Sequence, residues 1–82
     1  MLTGYIEAAM RHARIERLPE SGQYYGEIPE TPGVWATGTT EDACRIELRE
    51  VLEDWIVLGL ARRMALPAIE GIDINPRLEA VS

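Results

Sequence analysis

The chain has 82 residues, a formal net charge of −6 and a hydrophobic fraction of 46%. That apolar content is too high for intrinsic disorder and, at this length, predicts one small domain with a thin core. With 14 acidic against 8 basic residues, the chain opposes the phosphate neutralisation on which nucleic-acid affinity depends.

Residues 3–12 predict a short helix, capped by Thr3, with Tyr5, Ile6, Ala9 and Met10 recurring on one face. Glu7 lies early, and Arg11 and His12 late, as the helix dipole favours. Ala13 to Leu18 predicts a strand, with Ile15 between Arg14 and Glu16 in half-buried alternation. Pro19-Glu20-Ser21-Gly22 is a turn cluster, and Gln23 to Ile28 a second strand, completing a hairpin. Pro29-Glu30-Thr31-Pro32-Gly33 is a rigid loop, because its prolines cannot donate to a central ladder. Val34 to Thr37 is a third short strand that Gly38 ends.

The long element follows. Thr39 or Thr40 caps a helix running to about Arg63; Thr39 with Asp42 makes an imperfect capping box. Cys44, Leu48, Val51, Leu52 and Trp55 form its apolar stripe, which Leu58 or Gly59 continues. Charged residues fill the other faces. Pro67 stops continuation, Ile72-Asp73-Ile74 is a candidate fourth strand, Asn75-Pro76 ends it, and the last residues are expected to fray. The fold class is therefore α+β, a small antiparallel sheet covered by one long helix. The order is α-β-β-β-α-β, in a single domain over residues 1–82.

No apolar run approaches the roughly 18–20 residues of a membrane span. No basic-then-apolar leader opens the chain, and Cys44 has no internal partner, so a cytoplasmic location is the expectation. All basic residues are arginine, which reads as a lineage bias without function.

The segment Tyr24-Tyr25-Gly26-Glu27-Ile28-Pro29-Glu30-Thr31-Pro32-Gly33, then Ala36-Thr37-Gly38-Thr39-Thr40-Glu41-Asp42-Ala43 and the long helix, resembles the HicB-like antitoxin family. The shared pattern is an aromatic strand, an acid between two prolines, a glycine, a second strand and a glycine-threonine helix start with acids in its first turn. The resemblance implies a partial ribonuclease H-like fold. It also implies a partner, a HicA-like toxin that is a small basic ribonuclease. Many such proteins carry a C-terminal DNA-binding module. Only eight residues follow Ile74, so no such module and no nucleic-acid binding by the chain alone are expected.

Several side chains have types that can carry chemistry. Ribonuclease H-like enzymes hold metal ions with clustered carboxylates. Glu16, Glu27 and Asp73 lack a spacing that demands a metal and read as solvated strand residues. His12 has no nucleophile beside it and reads as a helix C-terminus partner. Cys44 lies on the apolar stripe and reads as a core thiol. Trp55 reads as core. No catalytic, metal-binding or cofactor-binding residue is assigned, and none of these ligands is expected.

The partner-binding candidates are Tyr25, Glu27, Glu30 and Trp35. Tyr25 and Glu27 share one strand face, Glu30 stands in a stiff loop, and aromatic residues commonly anchor interfaces. The expected function is a non-catalytic binding protein that neutralises a small basic ribonuclease. The competing expectation is a stand-alone oligomeric domain with a structural or small-ligand role. A homodimer or higher oligomer is expected on either reading, since the core is thin and the sheet edges need cover.

Overall fold

A computed structural model describes residues 2–75. In chain order it contains α1 (Leu2–Arg11), β1 (Arg14–Arg17), β2 (Tyr24–Glu27), β3 (Trp35–Gly38) and α2 (Glu41–Ala61). The three strands form one antiparallel sheet in the order β1-β2-β3. The small α+β architecture expected from the sequence is the one observed.

Local chemistry sets each boundary. Gly22, with φ of 74°, closes the β1–β2 turn by donating its amide to the Leu18 carbonyl at 2.9 Å. Gly33, with φ of 95°, reverses the chain between β2 and β3, where a side chain would be strained. Thr31 is fully buried inside that proline-flanked loop. Thr40, in an extended conformation, caps α2 through a hydrogen bond that its hydroxyl accepts from the Ala43 amide at 3.0 Å. Of the two threonines offered by the sequence, Thr40 is the cap.

At about 1.5 Å per residue, the 21 residues of α2 extend over roughly 32 Å. Its buried line is Cys44, Leu48, Leu52, Ile56 and Gly59. Val51 and Trp55 flank this line, half-buried against the core. The stripe therefore runs straighter than the sequence pattern implies. Ile56 takes an inward position, Leu58 is half exposed, and Gly59 rather than Leu58 continues the buried face.

Two glycines let α2 come close to the sheet. A Cβ on Gly26 would stand 3.0 Å from Cys44 Sγ, and one on Gly38 would stand 2.5 Å from the Cys44 amide nitrogen. Cys44 fits between them and donates its thiol to the Ala36 carbonyl at 3.6 Å. Burial raises its pKa above the ordinary thiol value, so the group stays protonated and packs as a core residue.

The end of α2 falls within two residues of the expected Arg63. The helix stops at Ala61, with Arg62 as C-cap and Arg63 in the left-handed region at φ of 56°, well before Pro67. The chain then folds back along Gly59, against which Leu66 packs. Asn75 clamps Leu66 from both sides. Its amide nitrogen donates to the Leu66 carbonyl, and its oxygen accepts from the Leu66 amide, each at 2.7 Å.

Ile72-Asp73-Ile74 does not form a fourth strand of the sheet. Ile72 makes an isolated bridge with Ile69 across a turn at Glu70 and Gly71, both at positive φ. The apolar alternation there serves burial of Ile69 and packing of Ile72 and Ile74 onto the core, without a ladder. The expected fraying beyond Asn75 lies outside the described residues.

Helix α1 packs beside the C-terminal half of α2, with a groove of about 220 Å³ lined by Leu2, Ile6, Glu53, Ile56 and Val57. Tyr5, Ile6, Ala8 and Ala9 are its buried residues. The fully buried Tyr5 donates its hydroxyl to the Pro67 carbonyl at 2.7 Å. The core thus lies between α2, the inner sheet face, α1 and the 66–74 segment, and among the described residues nothing packs over the outer sheet face.

Candidate functional site

The register decides what the open face carries. Glu27 stands opposite Arg14 on β1 and Trp35 on β3; Tyr25 stands opposite Glu16 and Thr37. Directly opposed residues point to the same side of a sheet. Arg14, Glu16, Tyr25, Glu27, Trp35 and Thr37 therefore share the outer face, while Ile15, Gly26 and Ala36 meet α2 on the inner one.

The centre of this face is pre-assembled. The Tyr25 and Trp35 rings stack with centroids 6.1 Å apart and planes inclined by 25°. The Tyr25 hydroxyl donates to Glu27 Oε1 at 3.1 Å. Partial burial first, and then the Glu27 and Glu16 carboxylates, raise the Tyr25 pKa above the usual phenol value, so the hydroxyl remains a donor. Trp35 is 54% exposed despite the stack. An exposed indole, a tethered phenol and a fixed carboxylate thus make a rigid patch with an anionic side.

The structure brings together Tyr25, Glu27 and Trp35 from the sequence-derived set. It directs Glu30 elsewhere. Glu30 Oε2 lies 2.6 Å from His12 Nδ1, and the other ring nitrogen, Nε2, lies 3.0 Å from Glu70 Oε2. Arg11 completes the cluster with a 2.6 Å ion pair to Glu70 Oε1 and a second hydrogen bond through Nε at 3.2 Å. His12 does stand just past the end of α1. Its ring, however, joins the proline loop to the Glu70 turn rather than serving the helix terminus alone.

Hydrogen bonds that the ring donates to Glu30, and then to Glu70, raise the His12 pKa above 6.5. The same contacts lower both carboxylates below 4.5, with His12 the main cause for Glu30 and Arg11 for Glu70. With His12 protonated this is a charge-paired knot tying α1, the loop and the 69–72 turn. Sequence reasoning missed it, because its members lie 18 to 59 residues apart and no local pattern announces such pairing.

The other carboxylates of the ribonuclease H-like expectation are dispersed. Glu16 and Glu27 lie diagonally on the outer face. Asp73 sits in the last turn, accepting from the Asn75 amide and side chain. No helix among the described residues is long and apolar enough to cross a membrane.

Comparison with known proteins places residues 4–67 under the family model described as UPF0150-like. A curated UPF0150 protein of Thermotoga maritima is 46% identical over 41 residues, a stretch spanning 50% of this chain and 55% of that protein. The crystal structure of the protein TTHA0281 from Thermus thermophilus is similar at a TM-score of 0.85 and 42% identity. That match covers 93% of this chain and 94% of the other.

Proposed function

The chain belongs to the UPF0150-like family, and within it we propose a non-catalytic binding module that acts as a HicB-like antitoxin. Its partner is a small basic protein of the HicA-like ribonuclease class. The observation that carries this reading is the Tyr25–Trp35 stack with Glu27 fixed beside it on a sheet face that, among the described residues, neither helix covers. Aromatic groups already locked in place lose little conformational entropy when a partner covers them. The net charge of −6 supplies long-range attraction for a basic surface and speeds encounter. The same charge opposes binding to nucleic acid without a partner.

Glu27 and Trp35 are the residues to alter, because Glu30 is engaged by His12. The reading requires a small basic reading frame beside the gene; the test co-expresses this chain with that frame's product and follows growth. The wild-type chain restores growth. Trp35→Ala with Glu27→Arg remains folded by circular dichroism and loses both rescue and co-purification. A folded double variant that rescues as fully as the wild type refutes the assignment of this face.

A further inference from the structure

We propose that two copies of this chain join through their β3 strands, extending the three-stranded sheet into a continuous six-stranded one. The inference concerns the sheet edge and holds whatever the outer face binds.

The phase of the ladder shows which backbone groups are free. The Ile28 amide donates to the Val34 carbonyl at 3.4 Å, which makes Ile28 and Val34 a hydrogen-bonded pair. Such pairs alternate along an antiparallel ladder. Ala36 and Gly38 therefore turn their amides and carbonyls toward β2, and Trp35 and Thr37 turn theirs outward. On the other side, the Leu18 amide donates to the Gln23 carbonyl at 2.7 Å. Arg14 and Glu16 then face β2, and Ile15 and Arg17 face outward. The two phases agree, since β2 must serve its neighbours with alternate residues.

Both edges thus present two residues' worth of ladder groups, but their side chains differ. β1 is Arg-Ile-Glu-Arg, the charged pattern by which edge strands resist pairing. β3 is Trp-Ala-Thr-Gly, and the whole stretch from Thr31 to Thr40 holds no ionisable residue. In a chain that is 27% charged with a net −6, this is the sheet edge whose own strand brings no like charges together.

The geometry closes on itself. A twofold axis normal to the sheet pairs β3 with β3 in antiparallel fashion and keeps both α2 helices on one side. Opposed residues must share a face, so inward Ala36 meets Ala36 of the second copy, and Trp35 meets the second copy's Thr37. That register uses every outward amide and carbonyl of Trp35 and Thr37. It also joins two aromatic patches across the axis on the outer face. An interface built around one short strand falls at the small end of the range for specific contacts, so a weak, reversible dimer is expected.

The test combines sedimentation with residue-resolved amide hydrogen exchange over about 10–500 µM, the range proper to a weak contact. The mass rises from 9.2 kDa toward twice that value. The Trp35 and Thr37 amides gain protection with concentration, while those of Ile15 and Arg17 exchange freely throughout. Thr37→Pro removes one outward donor without touching the β2–β3 ladder and yields a monomer; Arg17→Pro, its counterpart on β1, still dimerises. If Thr37→Pro unfolds, the wild-type exchange pattern decides. A monomer across the range overturns the proposal. So does a dimer whose protection falls on Ile15 and Arg17, or one that leaves the Trp35 and Thr37 amides unprotected.

Discussion

Adding one methyl group at Gly38 probes how closely α2 lies on β3. A Cβ there would sit 2.5 Å from the Cys44 nitrogen, 2.8 Å from Cys44 Cα and 3.0 Å from the Ala43 carbonyl carbon. Non-bonded heavy atoms settle at about 3.5–4.0 Å. Relief therefore needs a shift of roughly 1 Å, and every clashing atom is backbone, so the first turn of α2 must move as a body. That movement loosens Cys44 and Leu48, both fully buried. Overpacking costs about 1–3 kcal/mol, occasionally more, and a backbone clash belongs at the upper end. At about 4–8 °C per kcal/mol for a domain of this size, Gly38→Ala should lower Tm by roughly 12–24 °C.

Gly26→Ala supplies the contrast. Its Cβ would meet side chains only, Cys44 Sγ at 3.0 Å, Ile15 Cγ1 at 3.2 Å and Leu48 Cδ2 at 3.4 Å, and these can give by a few tenths of an ångström. Its cost should be about 1–2 kcal/mol. Cys44→Ala removes the nearest of those atoms, so the pair Gly26→Ala, Cys44→Ala should be less destabilised than the sum of its singles, by about 0.5–1 kcal/mol. The same cysteine change cannot relieve Gly38→Ala, whose obstacle is backbone. Urea and thermal unfolding of the four-member cycles measure both couplings. The reasoning fails if Cys44→Ala rescues Gly38→Ala and not Gly26→Ala, or if the two alanine variants melt together.

The Arg11–His12–Glu30–Glu70 knot predicts a stability maximum at mildly acidic pH. His12 contributes fully below about pH 6.5, and that contribution fades as pH rises through its elevated folded pKa. Glu30 and Glu70 contribute fully above about pH 4.5 and lose it as pH falls through their depressed values. Stability measured by urea titration should peak between those limits, and His12→Gln should flatten the alkaline limb; an unaltered alkaline limb in His12→Gln would contradict the pairing. Leu52→Asp places an unpaired charge at a fully buried site and should cost several kcal/mol, enough to unfold a domain of this size at 25 °C; a cooperative melt at the wild-type temperature would remove Leu52 from the core.

Much of this architecture is legible in the sequence, because short-range physics dictates it. The turn residues Pro19 to Gly22 and Pro29 to Gly33 place both hairpin connections, and the long stripe beginning at Cys44 identifies the helix that covers the sheet. Legibility fails where partners are remote. Leu58 and Ile56 are equally apolar, yet Ile56, four residues after Leu52, is the buried one and Leu58 is half exposed. Ile72-Asp73-Ile74 alternates like a strand, yet the positive φ of Glu70 and Gly71 turns it back on Ile69. The site divides in the same way. Tyr25 and Glu27 share a face by strand period alone, and Trp35 joins them by register. Glu30 looks equivalent in sequence until His12, eighteen positions earlier, claims its carboxylate.

The ties between α1 and the far end of the chain also set a schedule for folding during synthesis. Tyr5 bonds Pro67, and Arg11 and His12 bond Glu70, across separations of 62, 59 and 58 residues. At about 5–20 residues per second, α1 leaves the ribosome roughly 3–12 s before the residues that anchor it. A ten-residue helix is too short to persist alone in water. Tyr5, Ile6 and Ala9 therefore stay without their full set of partners until the rest of the chain has been made. The docking of α1 is therefore complete only once Pro67 and Glu70 have emerged.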